Sequence, residues 1–403
     1  MLRLARMAGA VAVIVVAGCS APPKPPTSPA GGADVTSLDP GHYPTKPNSS
    51  LGNAGDAVKG GWVEARRMAN NVVGPWEVDP ALTEVHCCVS GVVKDPAALN
   101  TTLAAPLGDV VGKHNFLAGF ASGKRSNLLG PHSIMDLTNV VLRFASAADA
   151  AAAVADMAAQ SAALTPAYRS SRPTHPIAIP RYPRSTAVAD TSEELESFVY
   201  AFTVHGAYVL CQQSGSGDGP HAAAQLVAAT LDKQLPSIDQ FTPTPAEQLP
   251  GLALDPTGLL AHTLQGDQVS SSTGVYEPRA DMHIDSRLAE PAKQWALFNA
   301  VGLQSVAWAG TTVYETRDGS AAARLVEEFA SAELAYNYRP AAGIKGMPNA
   351  KCLAPPPPDP QINSIPGVFC FAAAGRYTIV VFTDQQVDAH QRAAAQYLML
   401  TAR

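Results

Sequence analysis

FVYAFTVHGAYVL (198–210) and GVFCFAAAGRYTIV (367–380) make one statement twice. In each, two apolar runs meet across a single glycine, Gly206 or Gly375, with a tyrosine two residues on, Tyr208 or Tyr377. Val199 matches Val368 and Phe202 matches Phe371 at the same spacing. Such a pattern is a β-hairpin, because a tight turn needs a residue with no side chain to clash. The two tyrosines then point to equivalent faces of their sheets, since side chains alternate along a strand.

Working outward from each hairpin, the same order of elements recurs. Before the first lie a helix over 103–114, strands over 116–121 and 139–145, and a helix over 147–164. The hairpin strands cover 197–204 and 207–213, and a helix follows over 220–235. Before the second lie a helix over 287–299, strands over 303–308 and 311–316, and a helix over 320–337. Its hairpin strands cover 368–373 and 376–383, with a closing helix over 386–400. The helices rest on apolar spacing, Ala150, Val154, Met157 and Leu164 in one and Leu325, Phe329, Ala332 and Tyr336 in its counterpart. Ser146, Asp218, Asp318 and Asp384 stand where N-caps belong. LAAP (103–106) and LAEP (288–291) extend the match.

Strands joined by short turns pair antiparallel. The fold class is therefore α+β, with two tandem, duplicated domains, each a four-stranded, mostly antiparallel sheet with helices packed on one face. The first domain spans 34–235 and the second 283–403, and residues 236–282 form a linker packed across both. A length of 403 residues and 46% hydrophobic content suit two ordinary cores.

The amino-terminal end gives an address. Arg3 and Arg6 precede an apolar run over 8–17, which ends in Val16-Ala17-Gly18-Cys19. That is a signal peptide over 1–18 closed by a lipobox, with diacylation expected on the Cys19 thiol. A Pro/Gly/Ser tether over 19–33 follows, an extended spacer. The address is the outer face of the cell membrane, with the lipid as anchor. Here cysteines are expected as disulfides. Cys352 and Cys370 bracket a proline-rich loop and should bond to each other. Cys211 should pair with either Cys87 or Cys88.

A net charge of −6 without any Lys/Arg block excludes nucleic acid as a partner. No G-x-S-x-G elbow and no G-x-x-x-x-G-K-[ST] loop occurs, and the ten histidines show no metal-ligand spacing. No catalytic residue, metal or cofactor is assigned. The expectation is a non-catalytic module that binds an envelope lipid, glycan or protein in a cleft between its halves, lined by Trp62, Trp76 and Tyr276. The alternative is an envelope hydrolase with an unfamiliar site.

LDPGHYPTKP (38–47), EARRMANNVVGPWEVDP (64–80), LDPTGLLAHTL (254–264), GVYEPRADMHID (274–285) and AHQRAAAQYL (389–398) together resemble a family of uncharacterised actinobacterial, mycobacterial and nocardial, envelope lipoproteins. The resemblance implies a lipobox, a surface location and no assigned activity. The adjacent Cys87 and Cys88 depart from the family pattern. A looser similarity is to the extracellular sensor domain of a mycobacterial Ser/Thr kinase.

Overall fold

The structure, a computed structural model, describes residues 32–85, 90–103, 105–127, 133–161, 174–190, 197–266, 270–284, 290–356 and 367–402. The leader, most of the tether, Cys19, Cys87 and Cys88 lie outside the described residues.

In the first half, α1 (Ala57–Met68) and α2 (Pro75–Val78) precede two short strands, β1 (Glu84–Val85) and β2 (Gly91–Val92). The helix expected over 103–114 is instead two single turns, α3 (Leu99–Thr102) and α4 (Gly108–Val111). Pro106 and Gly108 interrupt it, and proline cannot sit inside a helix without losing a hydrogen bond. Then come β3 (Phe116–Arg125), β4 (Met135–Phe144) and α5 (Ala147–Ser161). After these come β5 (Thr174–Pro176), β6 (Thr186–Asp190), β7 (Ser197–His205), β8 (Tyr208–Ser216) and α6 (Pro220–Ile238). The second half holds β9 (Gly274–Tyr276), α7 (Pro278–Ile284), α8 (Pro291–Val301), β10 (Ser305–Trp308), β11 (Thr312–Glu315) and α9 (Gly319–Ala335). It closes with β12 (Arg339–Pro340), β13 (Lys351–Ala354), β14 (Val368–Ala374), β15 (Tyr377–Thr383) and α10 (Gln386–Thr401).

Both hairpins form as read. Gly206 and Gly375 have φ of 57° and 56°, and Tyr208 pairs with His205 as Tyr377 pairs with Ala374. The sheets are larger than four strands. Seven strands run across each, in the orders β1-β3-β4-β8-β7-β6-β5 and β12-β13-β14-β15-β11-β10-β9, and β2 pairs with β3 beside the first path. Read from β3, the order β3-β4-β8-β7-β6-β5 is repeated by β10-β11-β15-β14-β13-β12. With β1 beside β3 as β9 is beside β10, the topology recurs over seven strands rather than four. Of the strands missed, β5 and β6 in one half and β12 and β13 in the other lie in the proline-rich gaps, while β1, β2 and β9 precede the unit read as repeated in the sequence. Pro176 and Pro340 sit on the outermost strands, where a missing N–H costs no ladder bond.

Helices cover both faces of each sheet, not one. Along β7, Phe198, Tyr200 and Phe202 enter one core with α5, α3 and α4. Val199 and Ala201 enter another with α6 and the end of α1. In the second half, Phe371 and Val380 face α8 and α9, while Cys370, Ile379 and Val381 face α10. A strand buried on both sides reads as a continuous apolar run, and these do.

Two segments pack against the second sheet from outside the span expected for it. Residues expected to be linker supply β9, an edge strand of the second sheet paired with β10. The stretch 34–48, expected in the first domain, packs on the second together with Ala33, expected in the tether. Ala33 and Leu38 lie against its α10-side core, and Asp34 N donates to Gly346 O at 2.8 Å. Tyr43 donates its hydroxyl to Asp388, and the Arg392 guanidinium sits 5.1 Å above the Tyr43 ring. Asn48 N then donates to Ala261 O at 2.9 Å.

Cys352 and Cys370 are directly opposed across β13 and β14 and form the expected disulfide, with Cα atoms 4.1 Å apart. Cys211 does not pair. It is a free thiol at the centre of β8, fully buried among apolar side chains, and burial raises its pKa. Its neighbours Val140 and Phe202 leave it in the role of a small hydrophobe.

Candidate ligand-binding cleft

The halves meet along α1, α2 and α7. Arg66 of α1 is buried, donates to Ser271 O at 3.2 Å and lies 5.9 Å from the Tyr276 ring. Arg279 of α7 reaches back to the first half, giving Nε–H to Asn70 O at 2.9 Å. Its Nη2 donates to both carboxylate oxygens of Glu77 at 2.8 Å. Glu77 also accepts the Gly74 N–H at 2.8 Å, which closes the first turn of α2 and fixes Trp76.

Behind Trp76 sits His283, fully buried, with ring centroids 5.1 Å apart and Phe120 edge-on at 5.5 Å. The Ser122 hydroxyl lies 2.8 Å from His283 Nδ1. Burial pushes the His283 pKa down to about 3, and Arg279 and Lys124 add to the effect. Hydroxyl beside imidazole is the arrangement of a nucleophile and its base. Here neither side chain is open to substrate, so the pair is a polar joint between the halves. Its neutrality has a measurable consequence. His283 takes up a proton near its ordinary 6.5 when unfolded and not when folded, so stability is lost as pH falls below that value. From pH 7.5 to 5 the loss from this group should be about 2 kcal/mol. Urea midpoints across that range should show it in wild type, with the slope reduced by that amount in His283→Gln.

In front of Trp76 the surface opens into a cleft of about 450 Å³, walled by Trp76, Glu77 and Thr83 on one side and Arg279, Met282 and Trp295 on the other. Glu290 and Pro291, at the start of α8, complete the rim. Of the three aromatic residues expected in a cleft, only Trp76 lines it. Tyr276 is buried in β9, its hydroxyl donated to Ser272 O at 2.9 Å, and burial raises its pKa to about 12. Trp62 gives its indole N–H to Lys94 O at 2.7 Å. It thereby braces a second hollow of about 490 Å³ formed largely by Ser90, Lys94, Asp95, Thr101, Thr102 and Ser271, which has no aromatic wall. Sequence reading missed Trp295, yet a signal exists. Gln294, Leu297, Phe298 and Val301 form the buried face of α8, and Trp295 lies off it, 41% exposed.

One further cluster has a metal-like composition. Cys352, Cys370 and His390 place their ligand atoms within 4.8 Å of one another. The two sulfurs are bonded to each other, however, which removes both thiolates.

Residues 51–254 match the N-terminal domain of unknown function DUF7373, and residues 259–403 match its C-terminal domain. The chain belongs to the DUF7373 family. The boundary between the two DUF7373 parts falls inside the segment expected as linker, before β9, in agreement with the strand pairing. No curated protein matches this DUF7373 chain. Among solved structures, the extracellular domain of PknH from Mycobacterium tuberculosis is weakly similar. It shares 16% identity over 42% of this chain and 95% of that domain, with a TM-score of 0.28. The di-domain ARO/CYC protein BexL of the BE-7585A biosynthetic pathway is 11% identical over 77% of this chain and 97% of that one, with a TM-score of 0.13. Neither likeness is close enough to carry an argument.

Proposed function

We propose that the protein is an exported, lipid-anchored component of an actinobacterial cell envelope that binds an envelope ligand without transforming it. The observation that carries the binding half is the cleft between the two halves, with an exposed indole on one wall and a braced one on the other. A concave site with aromatic and apolar walls and a few convergent polar groups has the composition of a ligand pocket. The anchoring half rests on Val16-Ala17-Gly18-Cys19 and the tether behind it. Among the described residues no helix is long and apolar enough to cross a membrane, and a diacylglyceryl group supplies a stable hold by itself. Against hydrolysis stands the burial of the Ser122–His283 pair.

Three measurements test this reading. Cys19→Ala should leave the membrane fraction; retention equal to wild type would refute the anchor. Native mass spectrometry of protein purified from its own envelope should reveal a bound mass that disappears in Trp295→Ala. Turnover of an envelope lipid or glycan, abolished by changing a single Ser, Cys, His, Asp or Glu, would refute the non-catalytic assignment.

A further inference from the structure

The chemistry of the cleft narrows what can fill it, given the reading of it as the binding site. Its two indoles differ in mobility. Trp76 is clamped, because its six-membered ring lies over Gly74 so closely that a Cβ there would meet it at 2.4 Å, with His283 behind it. Trp295 stands on the surface of α8 with 41% of its area open. Around them the charges are already matched. Glu77 is paired by Arg279 through two contacts of 2.8 Å, and Glu290 is paired by Lys293.

That pairing decides between ligand classes. An anion would find both cations of the rim, Arg279 and Lys293, already engaged by carboxylates. A cation, the usual occupant of an aromatic cage, would find both carboxylates engaged. An acyl chain would find apolar wall in Trp76, Met282, Pro291 and Trp295, but it would also lie against Glu77, Arg279 and Glu290, whose polar groups it cannot satisfy. A pyranose has what remains. One face of the ring is a patch of C–H groups with positive hydrogen edges, which suits the negative face of an indole. Its vicinal hydroxyls donate and accept together, so they can bridge a carboxylate–guanidinium pair without separating it. We propose that the cleft binds a neutral saccharide, one ring stacked on Trp295 and the chain running past Trp76 with its hydroxyls on Glu77 and Arg279.

The test uses the full mature chain and three probe sets: short neutral gluco-, manno-, galacto- and arabino-oligosaccharides, anionic phosphatidylglycerol vesicles, and a proline-rich peptide. Binding is read by tryptophan fluorescence and by calorimetry. The expected result is saturable binding of at least one neutral saccharide series, weakened about tenfold or more in Trp295→Ala. The melting temperature of that variant should stay near wild type because the side chain is largely outside the core. Arg279→Lys, which keeps the charge but loses the fork, should also weaken binding. Saccharide binding that Trp295→Ala leaves intact overturns the proposal. Silence of every saccharide with a Trp295-dependent response to vesicles or peptide also overturns it, while leaving the cleft as a binding site. No Trp295-dependent response to any probe overturns both readings.

Discussion

Replacing Glu64 with alanine should cost about 3–5 kcal/mol of folding stability. Glu64 lies on α1 with no exposed surface. Its carboxylate accepts from Arg143 Nη1 on β4 at 2.6 Å, from Arg67, and from the Thr244 N–H at 2.7 Å and hydroxyl at 2.9 Å. One side chain thus joins a helix, a central strand and the segment leaving α6. Deleting it strands the Arg143 guanidinium, itself 8% exposed, in a space with no other carboxylate in contact among the described residues. An uncompensated buried cation is the dominant penalty, larger than the lost hydrogen bonds. Glu64→Gln should cost less, since it keeps the shape and some of the acceptors. Urea midpoints followed by circular dichroism measure both, and a cost for Glu64→Ala below about 1 kcal/mol would show that Arg143 finds another partner.

The double variant Cys352→Ala/Cys370→Ala should lose about 3 kcal/mol, the entropy of closing a loop of sequence separation 18 in the unfolded chain. Reduction of wild type should give a comparable shift in urea midpoint, and reduction of the double variant much less. Cys211→Ala is the informative control. Because Cys211 is unbonded and packed against Val140 and Phe202, its replacement should cost only a small packing term and leave the response to reductant unchanged. A wild type indifferent to reductant, with the bond shown to be broken, would remove the disulfide from any account of stability.

The hairpins were legible because two independent signals, apolar runs and a glycine at the one position that needs φ near +57°, agree at Gly206 and Gly375. Sheet width was not. β5 and β12 are short, carry proline and donate little to a core, so nothing in their composition separates them from the loops around them. The second helical layer was hidden by an assumption: antiparallel sheets often keep one wet face. The alternating residues of β7 are apolar on both sides, which argues against a wet face there. The cleft was half legible. A tryptophan in sequence reports size and apolarity, not direction, and Trp62, Trp76 and Tyr276 face three different surroundings for reasons set by Lys94, Gly74 and Arg66. The match of Glu77 to Arg279 spans 202 residues of chain and leaves no local trace.

The arm over 33–48 gives the molecule an order of assembly. Tyr43 and the Asp388 it docks on are 345 residues apart, so the arm has no seat until the far end of the chain has folded. Leu38 and Tyr43 must wait, uncovered, until α10 has formed on the second sheet. A chain cut short within α10 would therefore lose the seat of its own beginning along with its end. The path also runs from the second half to the first and back, through 48–56 and through the segment that leaves α6 at 238. A single nick in the latter segment would leave the halves still held together through the docked arm.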